Sequence, residues 1–435
     1  MKTIKIGMIG FGAVGSGVVN LFNNMTREIF ERVGLSVELV KIAVRNKGKK
    51  RSQVFDKNKI TEDAFSIVTD PEIDIVVEVM GGEEPAMALI LKAISQGKHV
   101  VTANKHLLAM RGEEVYSAVE SGEVELGFEA AVAGAIPIVR AIRSAFAGDR
   151  IDMIQGIVNG TGNYILSRMT SEGKPFNEIL KDAQSLGYAE SDPAFDIEGI
   201  DSAHKVAIMA ALAFGTSVNF GSVFIEGITS ITPDDISMAR EFGLKIKLLA
   251  TAKRCEGGIE ARVHPAMIPQ SHFLASVNGA YNAIEIICDN AAKNVLIGPG
   301  AGSGPTASAI AGDVIDIACK IARGGAGKTP PMLIPLELRS ETKVKAISDM
   351  VFEYYLRFTV PDRPGILAKL AGALGEKGIS IASMIQRGRQ ENEPVSVVLT
   401  THSAAEADLD MALEQLKDTD ICLAPVTKIR IQKDA

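Results

Sequence analysis

Residues 4–19 read IKIGMIGFGAVGSGVV, an apolar run of strand length that ends in Gly10, Gly12 and Gly15 and passes directly into a helical pattern. Three glycines at that spacing carry information when a strand precedes them and a helix follows, which is where these stand. Gly10 permits a tight turn, Gly12 lets the backbone approach a pyrophosphate, and Gly15 lets the helix pack close to the strand. Phe11, Ala13 and Val14 complete a loop whose phosphate ligand would sit at the helix amino end. This opening predicts a Rossmann-type, doubly wound dinucleotide-binding domain.

Working outward, VELVKIAVRNKGKKR (37–51) supplies a second strand, and Arg45 and Lys47 stand at its end, where an NAD-specific fold would offer an acid to the ribose. Basic groups there suit a 2′-phosphate, so NADP is expected to be accepted beside NAD. The plain alternative is a solvated basic loop. IDIVVEV (73–79) is a buried-strand run, Gly81 and Gly82 turn the chain, a helix runs from Pro85 to about Gln96, and HVVTANK (99–105) returns as a strand. This alternation continues the doubly wound sheet, and Thr102, Asn104 and Lys105 leave it at the edge where ligands collect. Lys105 is therefore expected at the nicotinamide end of the cofactor or at the substrate.

The 435 residues are 46% hydrophobic, enough for a large core and for two or three domains. A net charge of −7 argues against a nucleic-acid partner. No segment approaches the ~18 uninterrupted apolar residues of a membrane span, and the amino terminus enters a strand without a signal-peptide pattern. The cytoplasm is the expected compartment. Cys255, Cys288, Cys319 and Cys422 lie far apart, without the spacing of a zinc site or a disulfide framework.

After about Asp152 the pattern turns strand-rich: IDMIQGIVNG (151–160), IEARVHPAMI (259–268), FLASVN (273–278), NAIEIICD (282–289) and NVLIGPG (294–300). An α+β layer is expected, with a buried helix over Ser202 to Phe214 and an open sheet that pairs between subunits of a homodimer or tetramer. A second glycine loop, GPGAGSGPTASAI (298–310), precedes a helix that starts near Pro305 or Thr306 and closes over the cofactor. The tail reads strand, Pro364-Gly365 loop, helix, two strands, helix and strand, the βαββαβ order of a ferredoxin-like plait. The expected division is a dinucleotide-binding domain at 1–130 completed by a helix at about 305–325, a catalytic and dimerisation domain at 131–304, a linker at 326–348 and a regulatory domain at 349–435. ELRSETKV (337–344) is the charged, loop-prone centre of that linker.

Two clusters carry chemistry. GYAESDPAFDIEGIDSAHK (187–205) crowds Glu190, Asp192, Asp196, Glu198 and Asp201 before Lys205, and a helix would set Asp201 and Lys205 on one face at i and i+4. An exposed salt bridge is the plain reading of such a pair; an acid–base site is the functional one. Glu129 stands in an otherwise apolar stretch, where a carboxylate must be paired, bonded or coordinated. With the carbonyls of Val132, Gly134 and Ile136 it could hold a hard cation.

GFGAVGSGVV, VTANK, GFEAAVAGAIPI, NGTGNYILSRM, LGYAESDPAFDIEGIDSAHK and GPGAGSGPTASAI, in this order, resemble homoserine dehydrogenase, and the tail with its Asp362-Arg363-Pro364-Gly365-Ile366-Leu367 loop resembles an ACT domain. With the dinucleotide fold at the start of the chain, the aspartate kinase that some members carry upstream is not expected. It implies the reversible oxidation of L-homoserine to L-aspartate 4-semialdehyde with NADP or NAD, on the route to threonine and methionine, with threonine as effector at the tail. Lys205 then matches the catalytic lysine, and Glu190, Asp201, Asp196 and Lys105 the substrate-binding set. Gly10 to Gly15, Arg45, Thr102, Lys105, Gly187 and Gly302 match cofactor positions. Glu129, Val132, Gly134 and Ile136 match a sodium site. Ser191 stands where a proline is common in the family and Gly162 where a threonine is. A phosphorylating semialdehyde dehydrogenase would need a nucleophilic cysteine at a strand-to-helix turn, and none of the four has that setting. A silent amino-acid sensor would have no use for Lys205 and its acids.

Overall fold

A computed structural model describes residues 3–51, 53, 55–386, 394–417 and 421–433. Strand β1 (Thr3–Ile9) is largely buried on both faces, as a central parallel strand must be. It pairs in parallel with β2 (Ser36–Ala43) and β4 (Ile75–Glu78). With β3 (Ile60–Thr61), β5 (His99–Thr102) and β6 (Leu126–Gly127) they form a parallel sheet ordered β3-β2-β1-β4-β5-β6. The order reverses between β1 and β4, the switch point beyond whose strand ends ligands bind.

Helix α1 (Ala13–Val33) packs beside a helix that arrives from far along the chain, Ser303–Arg323. Val18, Val19 and Phe22 share one apolar cluster with Ile310, Val314 and Ile317. Any side chain at Gly17 would collide with the Ser303 carbonyl. The late helix starts at Ser303, earlier than the position of Pro305 suggests, because Gly302 adopts φ +117° and turns the chain in directly ahead of it.

Among the described residues the second layer is a mixed sheet of eleven strands. Its main path runs Ala292–Pro299, Tyr281–Cys288, Ile151–Ile157, Leu244–Cys255, Gly258–Pro269, Thr427–Ile431, Val351–Pro361, Pro394–Thr401 and Ile381–Gln386. One face packs against the helix Ile200–Phe214, whose Ala203, Val206, Ala207 and Ala210 join Leu248, Ala250, Ala252 and Val263 in one core. The tail has the βαββαβ order expected, with helices Ile366–Glu376 and Glu406–Lys417 over a separate core of Tyr354, Leu356, Phe358, Leu370 and Leu409. Its last strand nevertheless pairs in parallel with Gly258–Pro269, Arg430 opposite Ala266, so the tail's sheet continues the catalytic one.

Two stretches depart from the sequence reading. Residues 273–278 form no strand: Phe273–Ser276 is a short helix, capped by His272 Nδ1 accepting the Leu274 amide at 3.2 Å. Apolar runs this short are ambiguous by periodicity, and the cap decides. The segment around 337–344 is built in: Ser340–Glu341 pairs with Thr216–Ser217, Ile259 and Lys343 share a backbone bond of 3.0 Å, and the half-buried Arg339 reaches Glu113 at 3.0 Å. No helix among the described residues is long and apolar enough to cross a membrane.

Candidate active site

Gly199, at φ +82°, ends the short turn Ala194–Ile197 and opens the helix Ile200–Phe214, a backbone state that glycine takes at little cost. Asp201 falls in the first turn of that helix and Lys205 one turn later, both buried. Lys205 Nζ donates to Asp201 Oδ2 at 2.6 Å and to the Val158 carbonyl at 2.6 Å. Lys105, the first residue of the helix Lys105–Ser121, meets the other Asp201 oxygen at 2.9 Å. Asn159 donates one amide hydrogen to Asp201 Oδ2 at 2.8 Å and the other to Asp196 Oδ1 at 2.7 Å. Its own oxygen caps the helix Gly160–Glu172 by accepting the Gly162 amide at 2.7 Å.

These contacts make the two lysines unlike. For Lys205 burial is the largest influence and lowers its pKa; Asp201 opposes this and Lys105 adds to it, leaving the amine below the usual lysine value. Burial also acts on Lys105, but Asp201, Asp196 and Glu190 outweigh it and hold that ammonium above the usual value. Asp201 feels burial pushing its pKa up, yet the flanking lysines and Asn159 hold it well below the carboxylate range. Lys105 is thus the more firmly held cation and Lys205 the more easily deprotonated amine.

An aromatic wall closes one side. His204 lies between Phe220 (ring centroids 4.6 Å), His106 (5.0 Å) and Phe195 (5.3 Å), and Lys105 Nζ stands 5.7 Å from the Phe195 centroid. Burial, then His106, pushes His204 down to about 4, so its imidazole is neutral near pH 7.

The glycine fingerprint fits a dinucleotide. A Cβ on Gly10, at φ +109°, would lie 2.7 Å from the Val79 carbonyl oxygen, and one on Gly15 would lie 2.5 Å from that of Gly10. Gly12 faces open space and caps α1 without a side chain, so the first helical amides point outward at a ligand. Ser303 Oγ donates to the Ala13 carbonyl at 2.7 Å, which brings Gly302 and the start of a second helix to the same place. Arg45 is exposed at the end of β2. Arg51 lies over Phe11, 5.3 Å from its ring, and donates to the Asn46 carbonyl at 2.7 Å and that of Lys49 at 2.8 Å, folding the basic loop back on the fingerprint.

Other predicted residues fall differently. Thr102 is fully buried and spends its hydroxyl on Glu78 at 2.6 Å, so its side chain does not face a cofactor. It instead accepts the Asn104 amide at 3.0 Å, and Asn104 caps the Lys105 helix at Leu107 with 3.1 Å. Both Asp201 oxygens are engaged, Oδ2 by Lys205 and Asn159 and Oδ1 by Lys105. Glu190 is exposed, and its charge reaches Lys105. Gly187, at φ +77°, turns the chain three residues before it. Thr161 Oγ1 ties that turn to the Asn159 segment by donating to the Tyr188 carbonyl at 2.8 Å.

Glu129 is buried, and each carboxylate oxygen accepts one backbone amide, Val139 at 2.8 Å and Arg140 at 2.8 Å. Asp313 accepts the Glu129 amide at 2.9 Å. Burial first, then Asp313, pushes Glu129 up to about 7, against the Arg140 and Val139 amides and the Arg140 charge. Ala133 and Gly134 are left-handed in succession (φ +54° and +57°) and curl the segment that holds Val132 and Ile136. A hard monovalent cation fits this chemistry, because each Glu129 oxygen keeps lone-pair capacity beyond its one amide.

Fold and site together define a dinucleotide-dependent oxidoreductase acting on a CH–OH group. Residues 137–315 match the family model for homoserine dehydrogenase, 10–129 that for its NAD binding domain, and 354–420 that for the ACT domain. The chain is 40% identical over 434 residues to homoserine dehydrogenase of Pseudomonas aeruginosa, covering 100% of both. With that of Corynebacterium glutamicum it shares 42% over 440 residues, covering 100% of this chain and 96% of the relative. The crystal structure of homoserine dehydrogenase from Thiobacillus denitrificans superposes with a TM-score of 0.92 at 41% identity, covering 99% of each chain. A hyperthermophilic archaeal homoserine dehydrogenase in complex with NADPH matches 73% of this chain and 98% of its own, at 26% identity and a TM-score of 0.63. The chain belongs to the homoserine dehydrogenase family.

Proposed function

We propose that this protein interconverts L-homoserine and L-aspartate 4-semialdehyde, with Lys205 as the proton-transfer group. The observation that carries this is the buried amine of Lys205, fixed by Asp201 and Val158 at 2.6 Å each. An ammonium has three hydrogens, and these contacts leave one for the substrate oxygen. A bound nicotinamide supplies or takes the hydride. As the aldehyde oxygen gains negative charge, Lys205 gives it a proton; in the oxidation direction the neutral amine takes the alcohol proton back. Burial and Lys105 make that amine easier to deprotonate than an ordinary lysine.

Glu190 and Asp196 offer carboxylates to the substrate's ammonium. Asp201 joins them by exchanging Lys105 for the incoming ammonium on Oδ1, like charge for like, which the half-exposed Lys105 side chain permits. Lys105 is then free for the substrate's carboxylate or the nicotinamide end. Gly10 to Gly15 and Gly302 cradle the phosphates, with Gly187 as a further cofactor contact. Arg45 and the loop that Arg51 folds support acceptance of NADP beside NAD. Glu129 with the carbonyls of Val132, Gly134 and Ile136 would hold a sodium ion, whose role is to neutralise the buried acid.

A homodimer, or a tetramer made of two dimers, is proposed from the resemblance and from the edge strand Ala292–Pro299, which bares Ile297 beside Tyr281. The ACT tail would bind an amino-acid effector, threonine for a biosynthetic route, in the cavity lined by Asp362, Arg363, Pro364, Gly365 and Gln386. The cytoplasm is proposed as compartment on the resemblance alone.

The purified protein should reduce NADP or NAD on addition of L-homoserine. Lys205→Ala should lower kcat by about two to four orders of magnitude while dinucleotide binding persists. Near-normal turnover of that variant would reject the proposed role.

A further inference from the structure

The tail meets the catalytic layer at two buried ion-paired clamps. In the first, Arg357 donates to both oxygens of Asp235, at 2.7 and 3.1 Å, and Tyr355 adds its hydroxyl at 3.0 Å. Asp235 belongs to the helix Pro233–Glu241, and no described hydrogen bond joins that helix to residues 196–205. The second clamp is built on Arg430, which is 1% exposed. It donates to Glu406 of the tail at 2.9 Å and to Glu226 of the catalytic layer at 2.7 Å, and its guanidinium lies 4.8 Å from the Phe224 ring centroid.

Glu226 leads to the site. Its amide donates to the Val263 carbonyl at 2.8 Å, and two residues on, the Ile228 amide donates to the Ile197 carbonyl at 2.9 Å. Between them there is no space for a side chain: a Cβ on Gly227 would lie 2.5 Å from the Ile197 oxygen and 2.6 Å from Glu198 Cα. The segment 226–228 therefore lies directly against 197–198. Asp196, bonded to Asn159 at 2.7 Å, is on one side of that contact, and Gly199, which opens the lysine-bearing helix, is on the other. A buried arginine shared by two carboxylates cannot follow one of them without uncovering the other, so movement of the tail's last strand has to be felt at Glu226.

We propose that Glu226 is a positioning residue: held by Arg430, it sets the turn 196–201 for the substrate, and a ligand in the tail alters catalysis by moving Arg430. The regulatory half rests on the proposed function of the tail; the positioning half does not. Charge-assisted bidentate and bridging contacts of arginine are geometrically demanding, so removing one charge displaces the partner.

The test uses the full chain with E226Q, a partly exposed position, and Y355F as a control at the other clamp. E226Q should raise the homoserine KM about fivefold or more, leave the dinucleotide KM unchanged, keep kcat within about twofold, and abolish any effect of millimolar L-threonine. Y355F should keep the homoserine KM within about twofold and retain the threonine response. A wild-type homoserine KM in E226Q, or an undiminished threonine response, overturns the proposal. If the wild type ignores threonine, the effector reading fails by itself, and the homoserine KM of E226Q alone decides the positioning role. Should E226Q fold poorly, E226D withdraws the same charge by one methylene; a raised homoserine KM supports the proposal and an unchanged one overturns it.

Discussion

Asp201 and Glu129 are both buried acids, each accepting short hydrogen bonds, yet their protonation goes opposite ways. Asp201 has lysine ammonium groups on both oxygens and is held well below the carboxylate range, whereas Glu129 has only backbone amides and is pushed up to about 7. Burial disfavours the anion in both, so the difference lies in full positive charges at contact distance. Amide dipoles orient Glu129 without neutralising it. The lysine cage carries its own counter-charges; among the described residues the Glu129 site has none at contact distance, and a bound cation would supply one.

The comparison breaks most severely at Asp201. Asp201→Asn leaves two amines facing each other without their anion, and kcat should fall by about a hundredfold or more. Because Asp201 raises the Lys205 pKa, the same change should move the apparent pKa of any residual activity downward; an upward move would contradict the arrangement. Asn159→Ala is the gentler perturbation, removing a neutral donor from Asp201 and Asp196 while Lys205 keeps its own contacts. Loss of a hydrogen bond to a charged group is worth about 1.5–3 kcal/mol, so kcat/KM should drop about ten- to a hundredfold, with dinucleotide affinity intact.

The smallest effect belongs to Glu129. Its folded pKa is raised from 4.5 to about 7, so its contribution to stability is full below the lower value and is lost as pH rises through the upper one. A sodium ion bound there, as proposed, would restore it. Replacing choline chloride by sodium chloride at equal ionic strength should raise Tm by about 1–3 °C near pH 8 and by less near pH 5. Equal melting in the two salts at both pH values would remove the cation from the account.

What the sequence disclosed follows from how local each feature is. Gly10, Gly12 and Gly15 act within a few residues, and Asp201 and Lys205 share one helical turn, so both were legible as spacing. Glu129 was legible as an anomaly, a charge in an apolar run. Asn159 was hidden because it meets Asp201 across 42 positions. Arg430 and Glu226 are 204 positions apart and become neighbours only when the tail's last strand adds to the catalytic sheet. Arg51 sat in a basic run that reads as solvated surface, and its place over Phe11 depends on a loop fold that charge pattern does not encode. The helix Phe273–Ser276 turned on one histidine cap.

The central claim is that the buried amine of Lys205 carries the proton. It is tested most directly by the pH dependence of kcat for homoserine oxidation in the wild type and in Lys205→Met. The wild-type rate should rise with pH to a plateau, with an apparent pKa below the ~10.4 of an unperturbed lysine. In Lys205→Met that ionisation should disappear from a rate reduced by orders of magnitude. The same titration persisting in the variant would contradict the account.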